Sequence, residues 1–237
     1  MVGAGGTGSA AATLVARSGI GELILVDGDV LEKTNLNRVR GYQAEDVGKN
    51  KAEQLARYIS GLGLPITVSA IGKFLGDSSE AIDAISSADV VFGCTDDVAG
   101  RDILNQALYY YGLALIDTGL TGKIDLDANG APYLRDHRGR VSCILPERGS
   151  CLRCQGVVTE EKLKYERAIK ERPELAELDA ETLRSEHYLT GGGEPAPGVG
   201  PFTNAAADNA VATLFNLLRQ FRKMPNDLRQ DNIWIDF

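Results

Sequence analysis

Residues 1–9 read MVGAGGTGS, a glycine-rich turn, and this stretch decides the fold. It leads into GSAAATLVARS at 8–18, a run typical of a helix, and then into ELILVD at 22–27, an apolar run of strand length. A glycine turn, a helix and a buried strand in this order predict a nucleotide-binding βαβ unit. Only Met1 and Val2 stand where the strand before the glycines belongs. We therefore expect a trimmed unit, from an excised fragment or a mis-assigned start.

The first half of the chain continues to alternate between predicted strands and helices. Strands are predicted at 66–71, 89–94 and 113–118, and helices at 51–62, around 78–87 and after Val98. Strands separated by helices predict an α/β fold with a doubly wound, Rossmann-like, mostly parallel sheet.

The pattern changes after Gly119. Ala-Asn-Gly-Ala at 128–131 separates two alternating stretches, which predicts an antiparallel hairpin. The rest is predicted to hold a charged helical stretch at 159–188 that breaks at Pro173, a long helix at 204–221 and a terminal strand at 232–237.

At 237 residues, of which 43% are hydrophobic, the chain is long enough for a substantial core. We predict a single domain over 1–237. Its parts are a nucleotide-binding half at 1–118 and an antiparallel extension at 119–237, which includes a crossover segment at 155–200.

The composition limits the classes of function. A net charge of −8 and a pI of about 4.9 argue against a broad nucleic-acid surface. The four cysteines form no secreted disulfide framework, so a reducing cytosol is expected. The sequence shows no signal-peptide pattern and no apolar run near the roughly 18 residues that cross a bilayer. We therefore predict a soluble, cytoplasmic protein without a membrane partner.

Four glycines, Gly3, Gly5, Gly6 and Gly8, lie at the turn from strand to helix. Without side chains they let phosphates approach backbone N–H groups at the positive end of the helix. Asp27 closes the next strand, where a carboxylate commonly binds ribose hydroxyls. These features fit a dinucleotide as well as ATP, so an NAD(P)-dependent oxidoreductase is one hypothesis.

Further polar residues follow the predicted strands or begin the helices after them. Strand C-termini of a parallel sheet converge on one crevice, so these side chains can meet. Hydride transfer does not need such a set, whereas a nucleoside triphosphate needs cations to offset its charge and a carboxylate to hold Mg²⁺. The set, which favours nucleotidyl transfer, is Asp29, Asn35, Arg38, Lys51, Asp96, Asp97 and Arg101.

Four motifs in this order and spacing resemble the ThiF/MoeB/ubiquitin-activating family. They are GAGGTGS at 3–9, VDGDVLEKTNLNR at 26–38, GKNKAEQLA at 48–56 and CTDDVAGR at 94–101. The resemblance covers nearly the whole chain and extends to IDTGLTGKIDL, SCLRC, PAPGVG and NIWIDF. It implies an adenylyltransferase that uses ATP to adenylate the C-terminal glycine carboxylate of a ubiquitin-fold protein and releases pyrophosphate.

The resemblance also implies roles for matching positions in nucleotide binding. Gly6 corresponds to the glycine against the nucleotide, and Asp27 to the ribose-binding carboxylate. Asn35 corresponds to an asparagine that contacts the phosphates. ATP and Mg²⁺ are the expected cofactors.

The catalytic residues implied by the resemblance are Arg38, Lys51 and Asp96. Arg38 and Lys51 match phosphate-binding cations, and Asp96 matches the carboxylate that engages Mg²⁺. Asp97 stands where many relatives have asparagine. The cations and Mg²⁺ would stabilise charge on the phosphates, and no general base is needed because a C-terminal carboxylate is already ionised at neutral pH.

Cys151 and Cys154 form a CxxC. By spacing alone this is half a zinc site, a redox pair or coincidence. The resemblance favours half a zinc site, since relatives carry a second CxxC near the C-terminus. This chain has no second CxxC, and nothing in the spacing requires Cys143, His137 or His187 to replace it.

Residues 155–237 contain no cysteine, although thioester-forming relatives carry a nucleophilic cysteine there. We predict adenylation without a thioester on this chain, so that a thiol-bearing acceptor would act downstream. Cys94 and Cys143 lie in predicted strands, where a structural role is expected.

Several alternatives stay open at this point. The leading substrate is a ubiquitin-like or sulfur-carrier protein; a peptide or a tRNA-borne carboxylate is an alternative within the same family. An inactive scaffold paired with an active relative is another, which the intact cations and Asp96 argue against. A homodimer is expected from the resemblance. The crossover segment is predicted either as a solvated helical surface or as a mobile cover over the substrate.

Overall fold

One sheet forms the centre of the computed structural model, which describes residues 1–147, 149–187, 189–190, 192, 198–221 and 232–237. Its strands are β1 Glu22–Val26, β2 Thr67–Ile71, β3 Val90–Gly93, β4 Ala114–Leu126, β5 Pro132–Ile144 and β6 Asn232–Asp236. The helices are α1 Gly6–Val15, α2 Lys51–Ser60, α3 Ser79–Ser86, α4 Val98–Tyr111, α5 Glu160–Glu171, α6 Ala180–His187 and α7 Gly200–Leu218. This element order confirms the predicted Rossmann-like α/β fold.

Val2 joins the two halves of the sheet. β1 pairs with β2 in parallel, and the other strands follow in the order β3-β4-β5-β6. Val2 bridges Val26 of β1 and Gly93 of β3, both in parallel. Its N–H donates to the carbonyl of Phe92 at 2.9 Å, and the N–H of Gly3 donates to Val26 at 2.9 Å. The residues before the glycine turn therefore fill the central strand position.

Side-chain caps fix where three of the helices begin. Asn50, Ser78 and Asp97 each accept a hydrogen bond from the backbone N–H three residues later. Such caps satisfy N–H groups that have no partner within the helix. The caps therefore start α2, α3 and α4 at the predicted places.

Helices cover both faces of the sheet. Small residues let α1 and α7 pack closely on one face, where Ala10, Ala207 and Ala210 are fully buried. On the opposite face α3 and α4 bury larger side chains, including Leu104 and Leu108. The doubly wound arrangement places the carboxyl ends of β1 and β3 at one edge of the sheet.

The antiparallel extension is built on a long hairpin, as predicted. β4 starts parallel to β3 and pairs with β5 in the antiparallel direction along its length. Asp127 closes the turn by accepting hydrogen bonds from the N–H groups of Asn129 and Ala131, both at 2.8 Å. Gly130 adopts a left-handed conformation with φ of +79°. β6 then adds to the free edge of β5.

The later helices follow the prediction except at their ends. The charged stretch breaks at Pro173, as expected, since α5 ends at Glu171 and a short 3₁₀ turn follows. The long helix, expected over 204–221, runs instead over Gly200–Leu218, because Pro201 is tolerated in a first turn where no N–H partner is lost. Among the described residues no helix has the length and apolar character needed to span a membrane.

His137 is buried in an aromatic cluster on β5. Its ring centroid lies 4.3 Å from that of Phe202 and 5.1 Å from that of Phe237. Burial lowers the pKa of His137. The unfolded chain therefore takes up a proton near pH 6.5 that the folded chain binds only at lower pH.

We expect this histidine to make the folded state less stable in mild acid. Its contribution is complete above about pH 6.5 and is lost as the pH falls toward the pKa of the folded state. Urea unfolding at pH 7.5 and at pH 5.5 measures the loss. His137→Phe should lose less stability over this interval than the wild type, and equal losses would contradict the prediction.

Candidate active site

Three adjoining cavities open at the carboxyl edge of the sheet, and Asp96 lines all three. The glycine-loop cavity, of about 430 Å³, lies among Gly5, Arg38 and Lys51. The Phe74 cavity, of about 600 Å³, lies beside Asp27 and Phe74. The crossover cavity, of about 720 Å³, lies between α5 and the strands β4, β5 and β6. The predicted site residues at the ends of β1 and β3 are thus brought to one cleft.

The glycine turn is shaped by close backbone packing. Gly3 has φ of +92°, and a Cβ there would lie 2.5 Å from the carbonyl oxygen of Cys94. A Cβ on Gly8 would lie 1.9 Å from the carbonyl oxygen of Gly3. Gly5, which precedes α1, faces open space and places no side-chain cap on the helix. The positive N-terminus of α1 therefore faces the glycine-loop cavity, an arrangement suited to phosphate.

Gly6 and Gly8 play different parts in this turn. Gly6 lines the cavity, and a Cβ there would lie 2.9 Å from the side chain of Thr203 at the start of α7. Gly8 is buried beneath the turn. In the PAPGVG motif before α7, residues 195–197 lie outside the described part of the chain.

Asp27 is held at the end of β1 by two backbone donors. Its Oδ2 accepts a hydrogen bond from the N–H of Ala4 at 2.6 Å, and its Oδ1 accepts one from Asp29 at 2.8 Å. Burial raises the pKa of this carboxyl, and the two hydrogen bonds oppose that effect. Asp27 therefore couples the glycine turn to the wall of the Phe74 cavity.

Lys51 begins α2 and reaches back to the loop after β1. Its Nζ lies 2.8 Å from Oδ2 of Asp29, and only 12% of its side chain is exposed. The hydroxyl of Tyr42 donates to the carbonyl of Ala4 at 2.7 Å and lies 3.1 Å from that of Lys51. Burial raises the pKa of Tyr42. Tyr42 thus joins the glycine turn to α2, a contact that sequence reasoning missed.

Asn35 and Arg38 belong to the polar loop before α2. Oδ1 of Asn35 accepts a hydrogen bond from the N–H of Glu32 at 3.1 Å, which closes a 3₁₀ turn. Arg38 donates from Nη1 to the carbonyl of Thr34 at 2.9 Å and to Oδ1 of Asn37 at 3.1 Å. Both Asn35 and Arg38 line the glycine-loop cavity. The loop therefore presents a guanidinium to the positive end of α1.

The adjacent carboxylates Asp96 and Asp97 differ in their contacts. Asp97 caps α4 by accepting the N–H of Gly100 at 2.6 Å, and the hydroxyl of Thr95 donates to its other oxygen. Of the three cavities described above, it borders the Phe74 cavity. Asp96 lies at the meeting point of the three cavities, which makes it the better placed of the two to act on a ligand.

Arg101, which the sequence analysis placed at this edge of the sheet, lies beside Asp96 together with two cations that it did not assign, Arg140 and Lys162. Arg101 of α4 lines two cavities, and its Nε lies 3.5 Å from Oδ1 of the fully buried Asp117. Arg140 donates to the other oxygen of Asp117. Burial and the nearby Arg101 and Arg140 lower the pKa of Lys162, which also lines the crossover cavity. The crossover cavity is lined by four cations and two carboxylates, and the net charge of this group stays positive when the buried Asp117 beside it is included.

Helix α5 of the crossover segment lies over the cleft. Glu166 accepts hydrogen bonds from the N–H groups of Val98 at 2.9 Å and Ala99 at 2.7 Å. A carboxylate at the N-terminus of α4 is favourable because it meets two backbone donors and the helix dipole. Glu166 and Lys170 line both the Phe74 and the crossover cavities. Helix α5 therefore borders the cleft with one face, while its other face is exposed to solvent.

Within the described part of the chain, the cysteines do not form a four-ligand zinc site. Burial raises the pKa of Cys94 to about 11, so it is a neutral thiol at physiological pH. The sulfurs of Cys151 and Cys154 lie 3.3 Å apart. A structural zinc site needs four ligands, and in the described residues no three His, Cys, Asp or Glu side chains form a metal-binding group. In the residues that the structure describes, no further ligand therefore joins the predicted half zinc site.

The fold and the cleft define a Rossmann-like α/β protein with a glycine turn, a carboxylate after β1 and cations around the turn. The family model described as the ThiF family matches residues 1–233, and the chain belongs to the ThiF family. This confirms the family that the four motifs indicated.

Individual relatives agree with this assignment. The chain is 32% identical to the SAMP-activating enzyme E1 of Haloferax volcanii over 154 residues, which cover 65% of this chain and 51% of that protein. It is 33% identical to the sulfur carrier protein ThiS adenylyltransferase of Escherichia coli over 123 residues, or 52% and 48% of the two chains. The chain thus spans about half the length of these curated relatives.

Among solved structures, E. coli MccB with ATP has a similar fold. Its TM-score is 0.65 at 23% identity, over 94% of this chain and 55% of MccB.

Proposed function

We propose that this protein is an ATP-dependent adenylyltransferase that activates the C-terminal carboxylate of a ubiquitin-like or sulfur-carrier protein. The observation that carries the proposal is the meeting of three cavities at Asp96, with cations on two sides. A nucleotide and an acyl substrate can approach the same carboxylate from different cavities.

The residues fit ATP. The tight packing at Gly3 and Gly8 leaves the backbone of the turn open at Gly5, where phosphates can approach α1. Arg38 and Lys51 would offset phosphate charge, and Asp27 would hold the ribose. The Phe74 cavity, next to Asp27, offers apolar walls for adenine.

Asp96 fits a role in holding Mg²⁺. Mg²⁺ is usually bound by one or two carboxylates together with substrate phosphates, so a single acidic side chain is sufficient. When bound, the ion would neutralise charge that develops on the phosphates. The capping contacts of Asp97 favour Asp96 over Asp97 for this task.

The crossover cavity is the proposed path for the substrate carboxylate. Arg101 and Lys162 line it and attract an anionic chain terminus. One carboxylate oxygen forms a bond to the α-phosphorus of ATP, and the bond from that phosphorus to pyrophosphate breaks. The cleft contributes by orienting the two substrates and stabilising negative charge, and no proton needs to be removed.

The substrate class is supported by the relatives. The names of two of them refer to SAMP and to the sulfur carrier protein ThiS. Residues 1–237 would form one adenylation domain, and the reaction that it catalyses would end with the acyl adenylate. A homodimer, and a thiol-bearing protein that accepts the activated carboxylate, complete the proposed scheme.

ATP–pyrophosphate exchange tests the proposal. Purified protein is incubated with ATP, Mg²⁺ and labelled pyrophosphate, with and without ubiquitin-fold proteins that end in glycine. Exchange that depends on the carrier, and is lost when its C-terminal carboxylate is amidated, supports the proposal. Exchange that occurs with short peptides but not with carrier proteins would indicate a peptide substrate. Tight NAD binding without any exchange would contradict the proposed adenylation.

Arg38→Ala is expected to lower the exchange rate about 10²-fold, because it removes a preorganised cation from the glycine-loop cavity. Arg17 is exposed in the turn that follows the C-terminal end of α1 and offers a matched control. Arg17→Ala should exchange at the wild-type rate. A wild-type rate in Arg38→Ala would remove that residue from the mechanism.

A further inference from the structure

The turn of residues 151–154 presents two thiols at contact distance. The sulfurs of Cys151 and Cys154 are 3.3 Å apart, and the backbone N–H of Cys154 donates to the sulfur of Cys151 at 3.3 Å. Cys154 is exposed and Cys151 is half-buried. Small molecules can therefore reach the pair from solution.

Contacts of the two residues between the cysteines fix the turn against α4. Leu152 is fully buried, and its N–H donates to Oδ1 of Asn105 at 2.8 Å. The guanidinium of Arg153 pairs with Asp102 at 2.7 Å and with Glu160 at 2.8 Å. Since the backbone between the thiols is held in place, each thiol is present at a high effective concentration for the other.

Among the described residues, the donor set does not complete a metal site at this turn. The four cysteines and two histidines all lie in the described residues, and none of the other four joins this pair. Cys94 is half-buried near the glycine turn, and His137 lies in the aromatic cluster. Two thiols without further ligands are half of a tetrahedral site.

We propose that Cys151 and Cys154 form a redox-active dithiol that exchanges with low-molecular-weight disulfides such as oxidised glutathione. The thiolate of Cys151 attacks one sulfur of glutathione disulfide, whose S–S bond breaks to release one glutathione thiolate. The thiolate of Cys154 then attacks the Cys151 sulfur of the mixed disulfide and releases the second glutathione. The protein loses two electrons, and the two glutathione thiolates take up the two protons of the protein thiols.

Thiol trapping tests the proposal on the full chain. The protein is equilibrated with mixtures of reduced and oxidised glutathione, and its free thiols are then blocked with an alkylating reagent. The number of blocked thiols is obtained from the intact mass by mass spectrometry. With rising oxidised glutathione, the wild type should lose two alkylation sites together and regain both on reduction. Cys154→Ser should stop at one glutathione adduct, because the mixed disulfide has no resolving thiol.

Matched variants separate this pair from the other cysteines. Cys143→Ser should form the disulfide as the wild type does, and Cys151→Ser/Cys154→Ser should lose no alkylation sites. Circular dichroism confirms that each variant is folded. Two results would overturn the proposal: both thiols alkylated at every glutathione ratio, or one zinc ion per two chains, with thiols that resist oxidation until a chelator is added. The second result would assign the pair to a zinc site shared between two copies.

Discussion

Asp96→Ala is expected to reduce carrier-dependent ATP–pyrophosphate exchange about 10³-fold. Asp96 lines all three cavities, so it lies where the phosphates, Mg²⁺ and the incoming carboxylate would meet. Its loss removes the carboxylate proposed to hold the ion, while the cap of α4, which is made by Asp97, remains. The expected effect is therefore on chemistry rather than on folding.

Exchange rates and thermal unfolding, measured on the same samples, check this prediction. Asp83, exposed on α3, provides the control. Asp83→Ala should keep both the wild-type rate and the wild-type melting temperature. If Asp96→Ala exchanges at the wild-type rate, the proposed position of the ion is wrong; if it fails to fold, Asp96→Asn replaces it in the test.

Gly8→Ala is expected to destabilise the fold by about 3 kcal/mol. The added Cβ would lie 1.9 Å from the carbonyl oxygen of Gly3, a backbone atom that cannot move aside alone. Gly3 is itself packed against Cys94, so relief of the clash must displace the turn from β3. Nucleotide binding should fall together with stability, because the same turn faces the glycine-loop cavity.

Gly5→Ala is the matched variant for this prediction. Nothing lies within 4 Å of the added Cβ, and the φ of Gly5 is −74°, which alanine adopts without strain. Its free energy of unfolding, from urea denaturation without nucleotide, should stay within about 0.5 kcal/mol of wild type. If Gly5→Ala and Gly8→Ala lose the same free energy of unfolding, the close approach to the carbonyl of Gly3 is not the reason that position 8 requires a glycine.

The sequence predicted those parts of the site that depend on the carboxyl ends of parallel strands. Asp27 and Asp96 follow β1 and β3, and Lys51 begins a helix, so simple topology brings them to one edge. The hairpin and the break at Pro173 were also predictable, because local turn chemistry determines both.

Contacts between distant elements could not be predicted. Arg140 reaches Asp117 only because β4 and β5 pair in one particular register, which includes an irregularity between Lys123 and Ile124. Glu166 caps a helix that begins 68 residues earlier in the chain. Neither the register of a long hairpin nor the docking of a surface helix follows from residue spacing. The positive charge of the cleft and the position of α5 over it could therefore be found only from the three-dimensional structure.

Because Val2 pairs with both β1 and β3, the glycine turn and the contact between the two halves of the sheet depend on the same residues. The hydrogen bonds of Val2 and Gly3 to Phe92 and Val26 both hold the two halves of the sheet together and fix the start of the glycine turn. Separation of the halves along this seam would dismantle the turn. A nucleotide that binds only the intact turn would therefore stabilise the contact between the two halves of the sheet. Its binding free energy would add to the free energy needed to separate them.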